Sequence, residues 1–388
     1  MQNFIPNSMP NVTGREENAI IRAVRASNIA VGPDIEKFER KIAEFVGAKY
    51  AVATNSGTSA LHLCLLQCNL QPGDLVITSP FSFAATVNSI LYTGAVPLFI
   101  DIDASTMCLC NVKLNKYFDT QCYLENGILK DRILQRRVGA ILPVHVYGHV
   151  AGGDDLNALS QKYNIPIVED GAEALGSEYR GQRIGANSKF FSISFNGNKI
   201  ITTGGGGMIL TNSEEVADRA RYLANQSKSA TSSFMHEEVG FNYRMPNINA
   251  AFGLAQASAL SEYVNKKRHI ASIYRSGLKG MNGLSIIWET DEFRSSFWMP
   301  ILKWDRRIFD VSPSELINEL LTHRIEARHT WRPLNDQMAY KKCPEHDIIV
   351  ARNIYESSVC LPCSTFLSED DQSFVLDKLI ESFTRRLK

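Results

Sequence analysis

From about Lys49 onward, short apolar runs alternate with longer stretches in which apolar positions recur every three or four residues. YAVATN (50–55), LVIT (75–78), VPLFIDI (96–102), VGAILPVHV (138–146), IPIVED (165–170), KFFSISF (189–195) and GMILTN (207–212) read as buried strands. Between them, residues 56–67, 82–94, 154–163 and 213–225 carry helical spacing. Near-continuous apolar strands separated by helices predict a mainly parallel sheet covered on both faces, which is the α/β class. Sites in such folds lie beyond the carboxyl ends of the strands.

After Pro246 the texture changes. Residues 247–278 read as one long helix without proline, followed by β-like pieces at 284–288 and 297–304 and helical patterns at 313–323 and 368–386. The pattern predicts a large domain over 1–250, a connecting helix over 251–279 and a smaller α+β domain over 280–388. The polar segment 111–137 lacks periodicity and reads as an insertion.

Composition narrows the class. The 388 residues are 44% hydrophobic and 21% charged, ordinary globular usage for two or three domains. Lys+Arg and Asp+Glu both number 41, so the phosphate-neutralising excess of a nucleic-acid binder is missing. No signal-like N-terminus or membrane-spanning run is legible, which predicts a soluble, cytoplasmic protein. Among the eight cysteines only Cys360 and Cys363 have metal-like spacing, and no second pair matches them. No metal site is expected.

The chemistry concentrates at strand ends. NSGTSAL (55–61) joins a strand to a helix, where Gly57 and Thr58 are placed to meet an anion at a helix N-terminus. A plain capped turn is the alternative. IPIVED ends in Asp170, a cofactor-directed carboxylate or a helix cap. In FNGNKIITTGGGGM (195–208), Lys199 lies on a turn ahead of four glycines, which imply close approach or positive φ. Neither the P-loop nor the dinucleotide fingerprint fits. Phe83, at another strand-to-helix junction, is placed to stack on a planar ligand or to pack in the core. Phosphate cradle, carboxylate, lysine and ring together meet the needs of pyridoxal phosphate.

With VGPDIEKFE (31–39), SPFSFAATVN (79–88), PVHVYGH (143–149), VEDGAEALGSEY (168–179), GFNYRMPNINAAFG (240–253) and RHTWRPLN (328–335), the chain resembles the DegT/DnrJ/EryC1/StrS aminotransferase family over nearly its whole length. The resemblance implies a fold type I pyridoxal-phosphate transferase. It makes Lys199 the Schiff-base lysine, Asp170 the partner of the pyridine nitrogen and Phe83 the stacking ring. Gly57, Thr58 and Ser194 become phosphate contacts, and Asn242 reaches the phosphate of the neighbouring subunit in a homodimer. Glu173 stands where the family more often has Gln or His, and Gly171 where it has Ala. Glu173 is therefore expected near the cofactor but in an altered role.

The implied reaction moves an amino group from L-glutamate, leaving 2-oxoglutarate, to C4 of a nucleotide-linked 4-keto-6-deoxy sugar. The expected substrate is UDP-2-acetamido-2,6-dideoxy-4-ketohexose, on a bacillosamine or legionaminic-type route. Trp331 and Arg332 are candidate sugar-nucleotide contacts, or else a rim tryptophan and a solvated arginine. The rival readings are a GDP-perosamine-type aminotransferase, a dehydratase of the same fold and a non-catalytic sugar-nucleotide sensor.

Overall fold

The computed structural model describes residues 3–229 and 235–387. Seven strands form one sheet in the order Tyr50–Thr54, Gly207–Thr211, Phe191–Ser194, Glu169–Asp170, Val138–Leu142, Leu75–Thr78, Val96–Ile100. Gly207–Thr211 runs antiparallel to both its neighbours, and the other pairings are parallel. The sheet is thus mainly parallel, as the pattern predicted. Its two halves meet through single bridges, Ile141 with Ile167 and Val144 with Asp170. Pro166 explains the short central strand, since it has no N–H for the ladder and contributes only its carbonyl, to Ile141.

The helix Gly57–Leu66 follows the first strand and is buried from Ser59 to Leu65. Such a helix is apolar on nearly every side because protein covers every side. From Leu284 onward the chain builds a second, antiparallel sheet from Leu284–Ile286, Ile301–Trp304, Ser358–Cys360 and Arg328–His329. Helices Pro313–Thr322 and Glu369–Thr384 accompany it. A short strand, Glu345–His346, leaves this region and extends the large sheet beside Val96–Ile100.

Two expectations change. In place of one helix over 247–278 there are two, Asn247–Ala257 and Leu260–Gly277. Ser258 turns its hydroxyl back onto the Ala255 carbonyl at 2.6 Å, and Ala259 leaves helical geometry at φ −108°. The segment 111–137 is structured: a helix Asn111–Gln121 buries Leu114, Tyr117 and Phe118, and a hairpin pairs Cys122–Glu125 with Ile128–Asp131. Among the described residues no helix is long and apolar enough to cross a membrane.

Candidate active site

A cavity of about 320 Å³ opens at the carboxyl ends of the large sheet. Gly207 pairs with both Thr54 and Ser194, so the ends of two parallel strands are brought to either side of it. The helix starting at Gly57 therefore begins beside Ser194. A Cβ on Gly57 would sit 2.9 Å from Ser194 Cβ and 3.3 Å from its Oγ, so only glycine lets the two approach. Ser56 caps the helix by accepting the Ser59 N–H at 3.1 Å. The backbone N–H groups of the first turn, Gly57 and Thr58 among them, lie at the cavity wall, where a helix N-terminus favours an anion.

The glycine run adopts the close approach its sequence implied. A Cβ on Gly206 would meet Thr203 Oγ1 at 2.3 Å, and one on Gly207 would meet the Ser56 carbonyl oxygen at 2.4 Å. Gly205 faces open space and lines the cavity.

Asp170 ends its strand at the cavity floor. Its Oδ2 accepts the Thr86 hydroxyl at 2.7 Å, and its Oδ1 accepts the Ala172 N–H at 3.1 Å. No helix follows it, so the capping alternative falls. Behind it, the imidazole of buried His145 lies 3.1 Å from Glu169 and accepts the Ala151 N–H. Glu173, also buried, accepts the Tyr147 N–H at 2.8 Å and lies 3.7 Å from Lys199 Nζ. Burial pushes both carboxyls above their ordinary range, against the pull of Lys199. Burial likewise lowers Lys199, and both carboxylates oppose it. The result is an amine with an accessible neutral form, flanked by two acids, which is the charge arrangement of a proton-transfer site.

The side walls are aromatic. Tyr147 stacks on Trp298 at 5.8 Å and on Trp331 at 5.7 Å, and the half-exposed Phe83 leans on Trp331 at 5.4 Å. Trp331 is also held by its backbone N–H on the Tyr147 hydroxyl, 2.8 Å.

Residues 10–380 match the DegT/DnrJ/EryC1/StrS aminotransferase family. The chain belongs to that family. Among its relatives, the "Putative pyridoxal phosphate-dependent aminotransferase EpsN" of Bacillus subtilis is 36% identical over 97% of this chain and 95% of its own. The GDP-perosamine synthase of Escherichia coli O157:H7 is 31% identical, with 98% and 99% covered. A UDP-4-amino-4,6-dideoxy-N-acetyl-beta-L-altrosamine transaminase of Campylobacter jejuni is 31% identical, with 97% and 96% covered. The crystal structure of S. venezuelae DesV superposes with a TM-score of 0.85 at 28% identity, covering 97% of this chain and 95% of DesV.

Within this DegT-family chain, Gly57, Thr58, Phe83, Asp170, Glu173, Ser194, Lys199 and Trp331 all line the one cavity. Asn242 and Arg332 do not. Arg332 is exposed, and so is Asn242, whose carbonyl accepts the Asn55 side chain at the cavity rim. Sequence reasoning missed Thr86, Tyr147 and Trp298. Thr86 and Tyr147 stood inside motifs already quoted, SPFSFAATVN and PVHVYGH, but Trp298 reaches the cavity from a distant segment that pattern alone reads as strand.

Proposed function

We propose that the protein is a cytoplasmic, homodimeric pyridoxal-phosphate-dependent aminotransferase that moves an amino group from L-glutamate to C4 of a nucleotide-linked 4-keto-6-deoxy sugar. The observation that carries this reading is the convergence of Lys199 and Asp170 on a cavity whose rim holds a helix N-terminus. The residues fit pyridoxal phosphate: the Gly57–Ser194 cradle suits the phosphate, Asp170 a ring nitrogen and Lys199 an aldehyde. Bound there, the cofactor supplies an electron-withdrawing ring that acidifies the C–H next to the captured nitrogen.

The chain's own residues do the rest. Gly57, Thr58 and Ser194 would hold the phosphate, and Phe83 would cover one face of the ring. Asp170, oriented by Thr86 and Ala172, holds a proton on the ring nitrogen. Lys199 would hold the aldehyde at rest; once displaced, its Nζ would take the proton from the donor carbon and deliver it to the former aldehyde carbon, the shift that transamination requires. Glu173 lies within reach of that amine. Trp331, in the cavity wall, and the neighbouring exposed Arg332 are the candidate sugar-nucleotide contacts.

Within the substrate class, we favour a UDP-linked 2-acetamido-4-keto-6-deoxy sugar, on a bacillosamine or legionaminic-type route. The Campylobacter relative and Glu173 support this choice. A GDP-linked sugar is the second reading, favoured by the perosamine synthase of equal identity. The test offers UDP-, dTDP- and GDP-linked 4-keto-6-deoxy sugars with glutamate and follows 2-oxoglutarate. Turnover fastest on the UDP sugar supports the reading, fastest on the GDP sugar replaces it, and none on any sugar overturns amination.

A further inference from the structure

Lys199 Nζ lies 3.8 Å above the centre of the Trp298 ring and, on another side, 3.7 Å from Glu173 Oε1. We propose that Trp298 and Glu173 form a holding slot for the Lys199 ammonium, so that they, and not burial alone, set the pH at which this lysine becomes a free amine. The inference rests on the reading of Lys199 as the cofactor-binding lysine.

Three features mark the slot as built. The Trp298 indole N–H donates to the carbonyl of Asn198 at 2.8 Å, which ties the ring to the residue preceding Lys199. The Trp298 carbonyl accepts the buried Lys267 ammonium at 3.1 Å and the Cys363 thiol at 3.4 Å, so its backbone is pinned from behind. Glu173 is fixed independently by the Tyr147 N–H on its Oε2, leaving Oε1 towards the lysine.

A cation over a desolvated indole face and beside a buried carboxylate is held more firmly than either contact alone achieves. An amine displaced from an aldehyde in this half-buried site must go somewhere, and the cavity leaves it only part of a hydration shell. The slot receives it as the ammonium after it has taken a proton, and keeps it aligned to deliver that proton onward. Trp298 and Glu173 are positioning residues in this account: they act on Lys199 and not on substrate.

The other charged group facing Lys199 is Asp170. Glu173 in turn faces Asp170 and Tyr147, with Cys108 and Cys360 nearby. Burial pushes both cysteine thiols well up, Cys108 to about 12, so both are uncharged at neutral pH.

The test uses cofactor-free protein. Trace acetylation with acetic anhydride, read on the Lys199 peptide by mass spectrometry, gives the midpoint of the free amine between about pH 6 and pH 11. Glu173→Gln keeps an acceptor for Tyr147 but loses the charge; it should lower the midpoint and raise labelling at neutral pH about ten-fold. Trp298→Leu should shift it the same way by about three-fold or more, and Trp298→Phe, which keeps a ring face, should restore most of the wild-type value. A purely structural role would change the high-pH plateau, which reports access, and leave the midpoint alone. Unchanged midpoints in Glu173→Gln and Trp298→Leu overturn the slot; should the leucine variant not fold, the glutamine variant alone decides. An unchanged midpoint in an enzyme that still aminates a sugar removes the slot and spares the function. A shifted midpoint in a protein that binds no cofactor does the reverse.

Discussion

The Thr86 hydroxyl donates to Asp170 Oδ2 over 2.7 Å, and Ser82 stands next in the same chain at 2.7 Å from Thr86. Burial pushes the Asp170 carboxyl up, and this hydrogen bond is the first force opposing it. Thr86→Val removes the donor without changing the shape, so the carboxyl moves up further. A hydrogen bond to a charged group contributes about 1.5–3 kcal/mol, so cofactor affinity should fall about ten-fold or more in titrations of the cofactor-free protein. The sign with pH follows: cofactor is retained while Asp170 is ionised, so the variant should release it at a higher pH on acidification than the wild type. An identical release profile would mean that Thr86 does not support Asp170. Gly171 has a comparable logic. A Cβ there would lie 2.2 Å from Phe191 Cζ, because that buried ring fills the space the family's usual alanine needs. Gly171→Ala should cost about 1–3 kcal/mol in denaturant unfolding, and Phe191→Leu should recover part of it. Neither Thr86 nor the Phe191 contact was legible in the sequence. Lys199 and Asp170 were, because each ends or follows a recognisable strand; their supports come from segments distant in sequence, and strand pattern carries no such pairing.

Elements with a strong apolar period were read to within a residue or two at most ends, as with the helices at Gly57–Leu66 and Asp154–Tyr163. The misreadings have local causes. The helix Asn111–Gln121 buries a single stripe of three residues, too short to stand out in a polar segment. The break at Ser258 comes from a side chain competing for a backbone carbonyl, which leaves the apolar pattern on either side intact. Strand Glu345–His346 is two residues long and has no pattern to read. What fixes that last region is Asp101, buried at the edge of the large sheet, which accepts the N–H groups of Ile349, Val350 and Ala351 at 2.7–3.0 Å and Lys113 Nζ at 2.7 Å. It caps the helix Val350–Tyr355 from another part of the chain. Burial works against this charge, but Lys113 and the three N–H donors outweigh it and hold the carboxyl below its ordinary value. A carboxyl depressed on folding stabilises the fold above its unfolded pKa, near 4, and that contribution is lost as pH falls through the lower, folded value. Asp101→Asn should therefore destabilise the protein by on the order of 2–3 kcal/mol at neutral pH. The loss should shrink on acidification below about pH 4, where the wild type gives up the same advantage. A difference that stays constant across that range would remove Asp101 from the account.

For the whole molecule the open question is whether one chain completes the cavity. Asn242 was assigned to the site by resemblance, yet within its own chain it is exposed and lines no part of the cavity, although its carbonyl is bonded to Asn55 at the rim. Both observations fit a side chain that serves the cavity of a second copy. Two impaired variants decide it. Lys199→Ala should abolish multiple turnover, and Asn242→Asp, which sets a carboxylate against a phosphate, should weaken cofactor binding about ten-fold or more. Co-expression would pair one chain of each kind in a mixed dimer; with Asn242 supplied across the interface, one cavity would combine both defects. If Asn242 is supplied across the interface, the other cavity combines an intact Lys199 with an intact Asn242 and should work at the wild-type rate. Separately tagged and purified mixed dimers should then regain about half the wild-type activity per dimer at limiting cofactor, with light scattering reporting twice the 43.3 kDa chain mass. If each chain completes its own cavity, no pairing restores an intact set, and activity stays at the level of the Asn242→Asp sites alone.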